Sequence, residues 1–178
     1  GAHADRTGLV RSAAGGTLFL DEITELSTDA QAKLLRVIQE RAVRPVGATR
    51  EVPVDVRIVA STNRVPEEAV AAGLLRRDLY YRLRRLLLAV PHLRERREDI
   101  PLLVDCFLDR WAAAHPDLHR RSVTPAALEL LASRPWPGNV RELENAVLAA
   151  CAFAPGPRIR VDDLEAAPRA AQATPGEG

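Results

Sequence analysis

Apolar residues fall along this chain in two rhythms, and the change between them comes near Pro91. Before it they form short runs that end in polar or turn residues. Leu18-Phe19-Leu20 runs into Asp21-Glu22, Val54–Ala60 runs into Ser61-Thr62-Asn63, and Leu86-Leu87-Leu88-Ala89-Val90 closes at Pro91. A short apolar run with such bounds reads as a strand buried on both faces, the pattern of a parallel sheet covered by helices. Between these strands, Ser27 and Thr28 can cap a helix whose apolar face is Ala30, Leu34, Leu35, Val37 and Ile38. Residues 44–47 and 51–53 read as the arms of a small hairpin turning at Gly47. Residues 66–75 predict a short helix stopping near Gly73, and residues 78–84 predict another.

Past Pro91 the period is helical. Ile100, Leu103, Val104, Phe107, Leu108 and Trp111 keep to one face of a helix. Thr124-Pro125 supplies an N-cap and a first-turn proline for a helix through about Ser133. Trp136-Pro137-Gly138-Asn139 reads as a turn whose Asn caps a long helix carrying Val140, Leu143, Val147 and Cys151. Ile159–Val161 suggests a short extended piece, followed by one helical turn. From about Ala167 the Ala/Pro/Gly-rich sequence has little to bury and reads as a disordered tail. The expected organisation is an α/β core over residues 1–91, a helical unit over 92–166 and a tail over 167–178.

Composition narrows the function classes. The 178 residues, 47% of them apolar, suffice for a real core, and no run approaches a membrane span. Twenty-five basic against 24 acidic residues leave no global attraction for nucleic acid. Cys106 and Cys151 lack metal-ligand spacing and sit in apolar helical patterns, which points to buried, reduced thiols and a cytoplasmic setting. No signal peptide or lipidation motif is visible.

Candidate chemistry collects at the strand ends. Ligands of parallel sheets bind outside the carboxyl ends of the strands, where Asp21, Glu22, Thr62 and Asn63 fall. Two adjacent carboxylates there suit phosphoryl transfer, one holding Mg²⁺ and the next orienting a water. The dipeptide alone fits equally well an acidic helix start serving the macrodipole. Arg76 and Arg82 flank one short helix, which in isolation reads as a solvated face. The helices around 124–133 and 139–152 suggest a helix-turn-helix. However, they lack a clustered basic face, and Glu142 and Glu144 would oppose DNA phosphate.

In this order and spacing the segments resemble one family: the AAA+ ATPase domain of bacterial enhancer-binding proteins, the NtrC-like activators of sigma-54 RNA polymerase. GGTLFLDEI resembles its Walker B segment, VRIVASTNR its sensor I strand and LRRDLYYRL its arginine-finger segment. PHLRERREDIPLL resembles the hinge into the lid, and WPGNVRELEN the sensor II helix. The resemblance implies the C-terminal part of a P-loop AAA+ parallel-sheet core followed by a small all-α lid. It implies ATP and Mg²⁺ as cofactors, Asp21 as the Mg²⁺ ligand and Glu22 as the residue activating water. Asn63, with Thr62, would sense the γ-phosphate, and Arg141 would approach the phosphates from the lid. Arg76 and Arg82 would be fingers reaching a neighbouring subunit of a ring. His3, His92, His115 and His119 match none of the family's catalytic positions.

Two departures stand beside the match. No G-x-x-x-x-G-K-[ST] motif occurs in these residues, so the Walker A strand and loop are not in the chain. The family's strand order then leaves a gap between residues 54–60 and 86–90, and the chain alone is expected to hydrolyse ATP negligibly. The family's sigma-54 contact loop reads G-A-F-T-G-A. Here Gly1-Ala2-His3-Ala4-Asp5 puts His3 in place of Phe and Ala4 in place of Thr, so sigma-54 RNA polymerase is expected to be engaged weakly. DNA would be reached only through a domain outside this chain. The alternative function is a degenerate, non-catalytic AAA+ regulator acting through protein contacts.

Overall fold

The structure is a computed structural model that describes residues 8–45 and 49–172. The chain divides into two compact units, residues 1–88 and 89–178, each with its own hydrophobic cluster. The expected contact-loop residues His3 and Ala4, and the hairpin turn at Gly47, lie outside the described residues.

In the first unit, helix α1 (Leu9–Ser12) leads to strand β1 (Thr17–Leu20). Helix α2 (Thr28–Glu40) follows, then the short strands β2 (Ala42–Val43) and β3 (Val52–Pro53) and the strand β4 (Arg57–Ala60). Helices α3 (Pro66–Ala71) and α4 (Arg77–Leu83) complete it. α2 starts where the sequence expects, because the Ser27 hydroxyl accepts the Ala30 N–H at 3.3 Å. Its buried face presents Gln31 and Leu34, with Leu35 and Ile38 half-buried. These pack with Ile23, Ala69, Leu75, Leu79 and Tyr80 into the unit's core. Each such leucine, taken fully out of water, stabilises by roughly 1.5–3 kcal/mol. Between α3 and α4, the Tyr80 hydroxyl donates to the Glu67 carboxylate at 2.5 Å. That bond holds Glu67 below the usual carboxylate range and pushes the Tyr80 phenol up.

β1 pairs with β4 in parallel, Thr17 opposite Arg57 and Leu20 opposite Ala60. Burial on both faces, expected from the apolar runs, is corrected here. Leu20, Ile58 and Ala60 pack on the helical core, whereas Phe19 on the other face is 59% exposed and Val59 is exposed as well. Side chains of a strand alternate between faces, and among the described residues only one face of this pair is covered. The third expected strand is corrected too. Leu86, Leu87, Leu88 and Val90 are exposed and belong to no ladder. An apolar run becomes a strand only when a neighbour pairs its N–H and C=O groups, and none of the described residues does so. Amide hydrogen exchange of this chain should therefore find residues 86–90 unprotected, and slow exchange there would show that they are paired.

The second unit opens with two 3₁₀ turns, Leu93–Glu95 and Arg97–Asp99, and continues into α5 (Ile100–Ala114). Strand β5 (Ser122–Val123), helices α6 (Pro125–Ser133) and α7 (Asn139–Phe153), strand β6 (Arg158–Ile159) and α8 (Val161–Gln172) follow. β5 and β6 form a two-residue parallel pair that the sequence pattern does not announce. The core gathers Phe107, Leu108, Leu131, Trp136, Leu143, Val147, Ile159 and Leu164. Thr124 caps α6 as expected, accepting the Ala127 N–H at 3.4 Å. Trp136 takes a left-handed backbone (φ 47°), a conformation costing an L-residue about 1–2 kcal/mol. Burial of its ring and an Nε1–H bond to the Leu131 carbonyl at 2.7 Å offset that cost.

Three expectations change in this unit. Asn139 does not cap α7. Its Oδ1 accepts the Leu93 N–H at 2.9 Å, and the Glu142 carboxylate serves the helix start by accepting the Gly138 N–H at 2.7 Å. Cys106 is exposed, on the outer side of α5, while Cys151 is buried and its thiol is pushed up to about 11 by desolvation. α8 continues as helix through Gln172, past residue 167, where the tail was expected to begin; residues 173–178 lie outside the described residues.

Candidate functional site

The parallel register sets the carboxyl ends of β1 and β4 side by side, and Ser61 laces them together. Its N–H donates to the Leu20 carbonyl and its carbonyl accepts the Ile23 N–H, both at 2.9 Å. Its hydroxyl donates to Asp21 Oδ1 at 2.5 Å, and Ser61 Oγ in turn accepts the Glu22 N–H at 3.3 Å. The Asn63 N–H donates to Glu22 Oε2 at 3.0 Å. Thr62 Oγ1 lies 3.3 Å from Thr24 Oγ1 and accepts the Arg64 N–H at 3.2 Å. Asp21, Glu22, Thr62 and Asn63 are thus brought to one edge.

Glu22 is held there in a left-handed conformation, φ 50° and ψ 60°. Such a backbone persists only where the surroundings over-determine it, and it is characteristic of functional sites. The turn is sharp enough to send the chain from β1 into the 3₁₀ turn Ile23–Glu25 while the two carboxylates stay at the strand end. Each carboxylate commits one oxygen to a protein donor; among the described residues the other accepts none. Free carboxylate oxygens suit a hard cation that keeps most of its water shell and takes further ligands from phosphate. No group of three or more His, Cys, Asp or Glu that could enclose a metal unaided occurs among the described residues. The two free oxygens can therefore contribute to a hard-cation site completed by ligands from outside this edge.

Arg76 and Arg82 stand at opposite ends of α4. Arg76 is its N-cap residue, half-buried, with its backbone N–H given to Gln31 Oε1 at 2.9 Å. Its guanidinium forks onto Asp78, Nε to Oδ1 at 3.0 Å and a terminal nitrogen to Oδ2 at 2.7 Å. Those bonds hold the Asp78 carboxyl below its usual range and raise the Arg76 guanidinium. Arg82 is exposed in the last turn and enters no ion pair among the described residues. Arg141 belongs to the second unit, exposed in the first turn of α7.

Ser61, Asp78 and Gln31 hold these groups in place, a role that the sequence pattern does not assign to them. Gln31 left a signal: an amide three residues before Leu34 on the apolar stripe of α2 is out of place unless its hydrogen bonds are all made.

The family described as the sigma-54 interaction domain matches residues 1–89, and that described as the AAA+ ATPase lid domain matches residues 94–177. The transcriptional regulatory protein ZraR of Salmonella typhimurium is 48% identical over 175 residues, 98% of this chain and 39% of that protein. Crystal structures of NtrX from Brucella abortus, one in complex with ADP and one with ATP, each superpose with a TM-score of 0.82 at 35% identity. The ADP complex covers all of this chain and 41% of NtrX; the ATP complex covers 97% and 39%. The chain thus spans about two fifths of the length of the ZraR regulators it matches.

Proposed function

The chain belongs to the sigma-54 interaction domain family, with an AAA+ lid behind it, and on that premise we propose that it carries the hydrolysis machinery of a nucleotide-driven remodelling ATPase in a transcriptional regulator. One observation carries the reading: the left-handed Glu22 at the carboxyl edge of a parallel pair, its carboxylate steered by the Asn63 N–H. The NtrX complexes with ADP and ATP support a nucleotide as ligand.

In this reading Asp21, oriented by the Ser61 hydroxyl, holds the Mg²⁺ that accompanies the nucleotide. When bound, that ion neutralises charge developing on the phosphates. Glu22 orients the attacking water and takes its proton, and the Asn63 contact keeps the acceptor oxygen in place. Asn63, with Thr62 beside it, meets the γ-phosphate, and Arg141 closes on the nucleotide from the lid. Arg76 and Arg82 act on the nucleotide of a neighbouring copy, which makes a ring the working assembly. In the full-length protein turnover is coupled to remodelling of the RNA polymerase holoenzyme, in the cytoplasm, with His3 and Ala4 weakening the contact to sigma-54. Because no G-x-x-x-x-G-K-[ST] loop occurs in these residues, backbone donors around the β- and γ-phosphates must come from elsewhere.

The test is ATP turnover. Glu22→Gln in the full-length protein should lower the rate by about 10²–10⁴-fold, the usual worth of a positioned general base, with ATP binding retained. Asp21→Asn should raise the Mg²⁺ concentration needed for half-maximal rate. Wild-type turnover in the Glu22→Gln variant would refute the assignment. The 178-residue chain by itself should release no measurable phosphate, and release abolished by Glu22→Gln would show that the loop is dispensable.

A further inference from the structure

Gln31 is 2% exposed in the middle of an apolar helix face. A buried amide without partners costs about 1–3 kcal/mol for each unsatisfied group, so its presence here calls for a use. Its partners supply one. Nε2 donates to the Leu26 carbonyl at 2.9 Å and to the Leu74 carbonyl at 2.8 Å, while Oε1 accepts the Arg76 N–H at 2.9 Å. Only one orientation of the amide satisfies two carbonyls and one N–H together, so the assignment of nitrogen and oxygen is fixed by the network.

These partners belong to the two segments that matter most. Leu26 closes the 3₁₀ turn that leaves Glu22, its N–H bonding the Ile23 carbonyl. Leu74 and Arg76 belong to the stretch that delivers the first arginine of α4. One side chain therefore ties the exit of the carboxylate edge to the backbone of Arg76, forty-five residues further on. Asp78 orders the other end of Arg76, accepting its guanidinium with both oxygens while Oδ1 also accepts the Leu79 N–H at 2.8 Å. With Gln31 holding the N–H and Asp78 the fork, the direction of the Arg76 side chain is set from both ends.

We infer that Gln31 is a positioning residue for Arg76, aiming that arginine at the nucleotide of the neighbouring copy; the inference rests on the finger reading of Arg76. Gln31→Met keeps nearly the same volume and removes all three hydrogen bonds. In the full-length protein it should lower kcat by about 10²-fold, the scale of a misplacement of ~1 Å at a reacting centre, with the Kd for ATP little changed. The diagnostic readout is mixing of subunits. Gln31→Met subunits retain Glu22, so adding Glu22→Gln subunits, which retain a well-aimed Arg76, should restore part of the turnover. Adding Arg76→Ala subunits should restore none.

Equal recovery with either partner, or unchanged kcat in Gln31→Met, would overturn the inference. A purely architectural role would show in a second measurement, amide exchange of Gln31→Met. Positioning predicts faster exchange confined to residues 74–79, whereas uniform loss of protection across residues 17–83 would contradict it. If Arg76→Ala and Glu22→Gln subunits themselves fail to complement, the finger reading falls and this inference falls with it. If that pair complements and Gln31→Met with Glu22→Gln does not, Gln31 alone has been misassigned.

Discussion

Replacing Arg76 or Arg82 with alanine in the full-length protein is expected to reduce ATP turnover by about 10³–10⁵-fold, the range over which an arginine finger stabilises transferred phosphate. ATP binding should change little if, as proposed, both side chains act on a nucleotide held by another copy. The two positions differ in their resting state. Arg82 enters no ion pair among the described residues, whereas Arg76 is already engaged by Asp78 of its own chain. Lysine should not substitute at either, since a single ammonium cannot reproduce a planar fork of donors on phosphate oxygens. Steady-state kinetics with a parallel ATP-binding measurement checks this, and a loss that falls mainly on ATP affinity would show that these arginines bind rather than catalyse.

The second large effect is on stability. Phe107 is among the largest fully buried side chains and sits in the core of the helical unit with Leu131, Trp136, Leu143 and Val147. Phe107→Ala should destabilise that unit by about 3–5 kcal/mol through lost burial and the cavity left behind, a large share of the roughly 5–15 kcal/mol that holds a domain. Urea unfolding followed by tryptophan fluorescence reads it directly, because both tryptophans, Trp111 and Trp136, belong to this unit. A loss below about 1 kcal/mol, the size of a surface effect, would mean that this unit is not organised around Phe107.

Much of the site was legible in the sequence because it depends on local pattern. The run ending at Asp21-Glu22 and the strand ending at Ser61-Thr62-Asn63 each announce a carboxyl end, and the parallel register brings the two together. The caps at Ser27 and Thr124 were legible for the same reason. What failed to show was the partner of each group. Leu86–Val90 has the composition of a strand, yet pairing depends on a neighbour that composition does not name. Asn139 has the chemistry of a cap, but tertiary packing brings the Leu93 N–H within its reach instead. Cys106 shares a helix with Phe107 and Leu108 but lies on its exposed side, a matter of phase that only packing fixes. Gln31 is visible as a polar interruption; that it holds Arg76 follows only from a contact spanning forty-five residues.

The most direct test of the account is complementation between two inactive forms of the full-length protein, one carrying Glu22→Gln and the other Arg82→Ala. Each lacks one half of an active site proposed to be shared between neighbouring copies. Mixed in equal amounts they should recover a measurable fraction of wild-type ATP turnover, since some interfaces then join an intact carboxylate edge to an intact arginine. Turnover that stays at the level of the separate variants at every mixing ratio would contradict a shared site, and would place Arg82 within its own subunit's chemistry or outside the chemistry altogether.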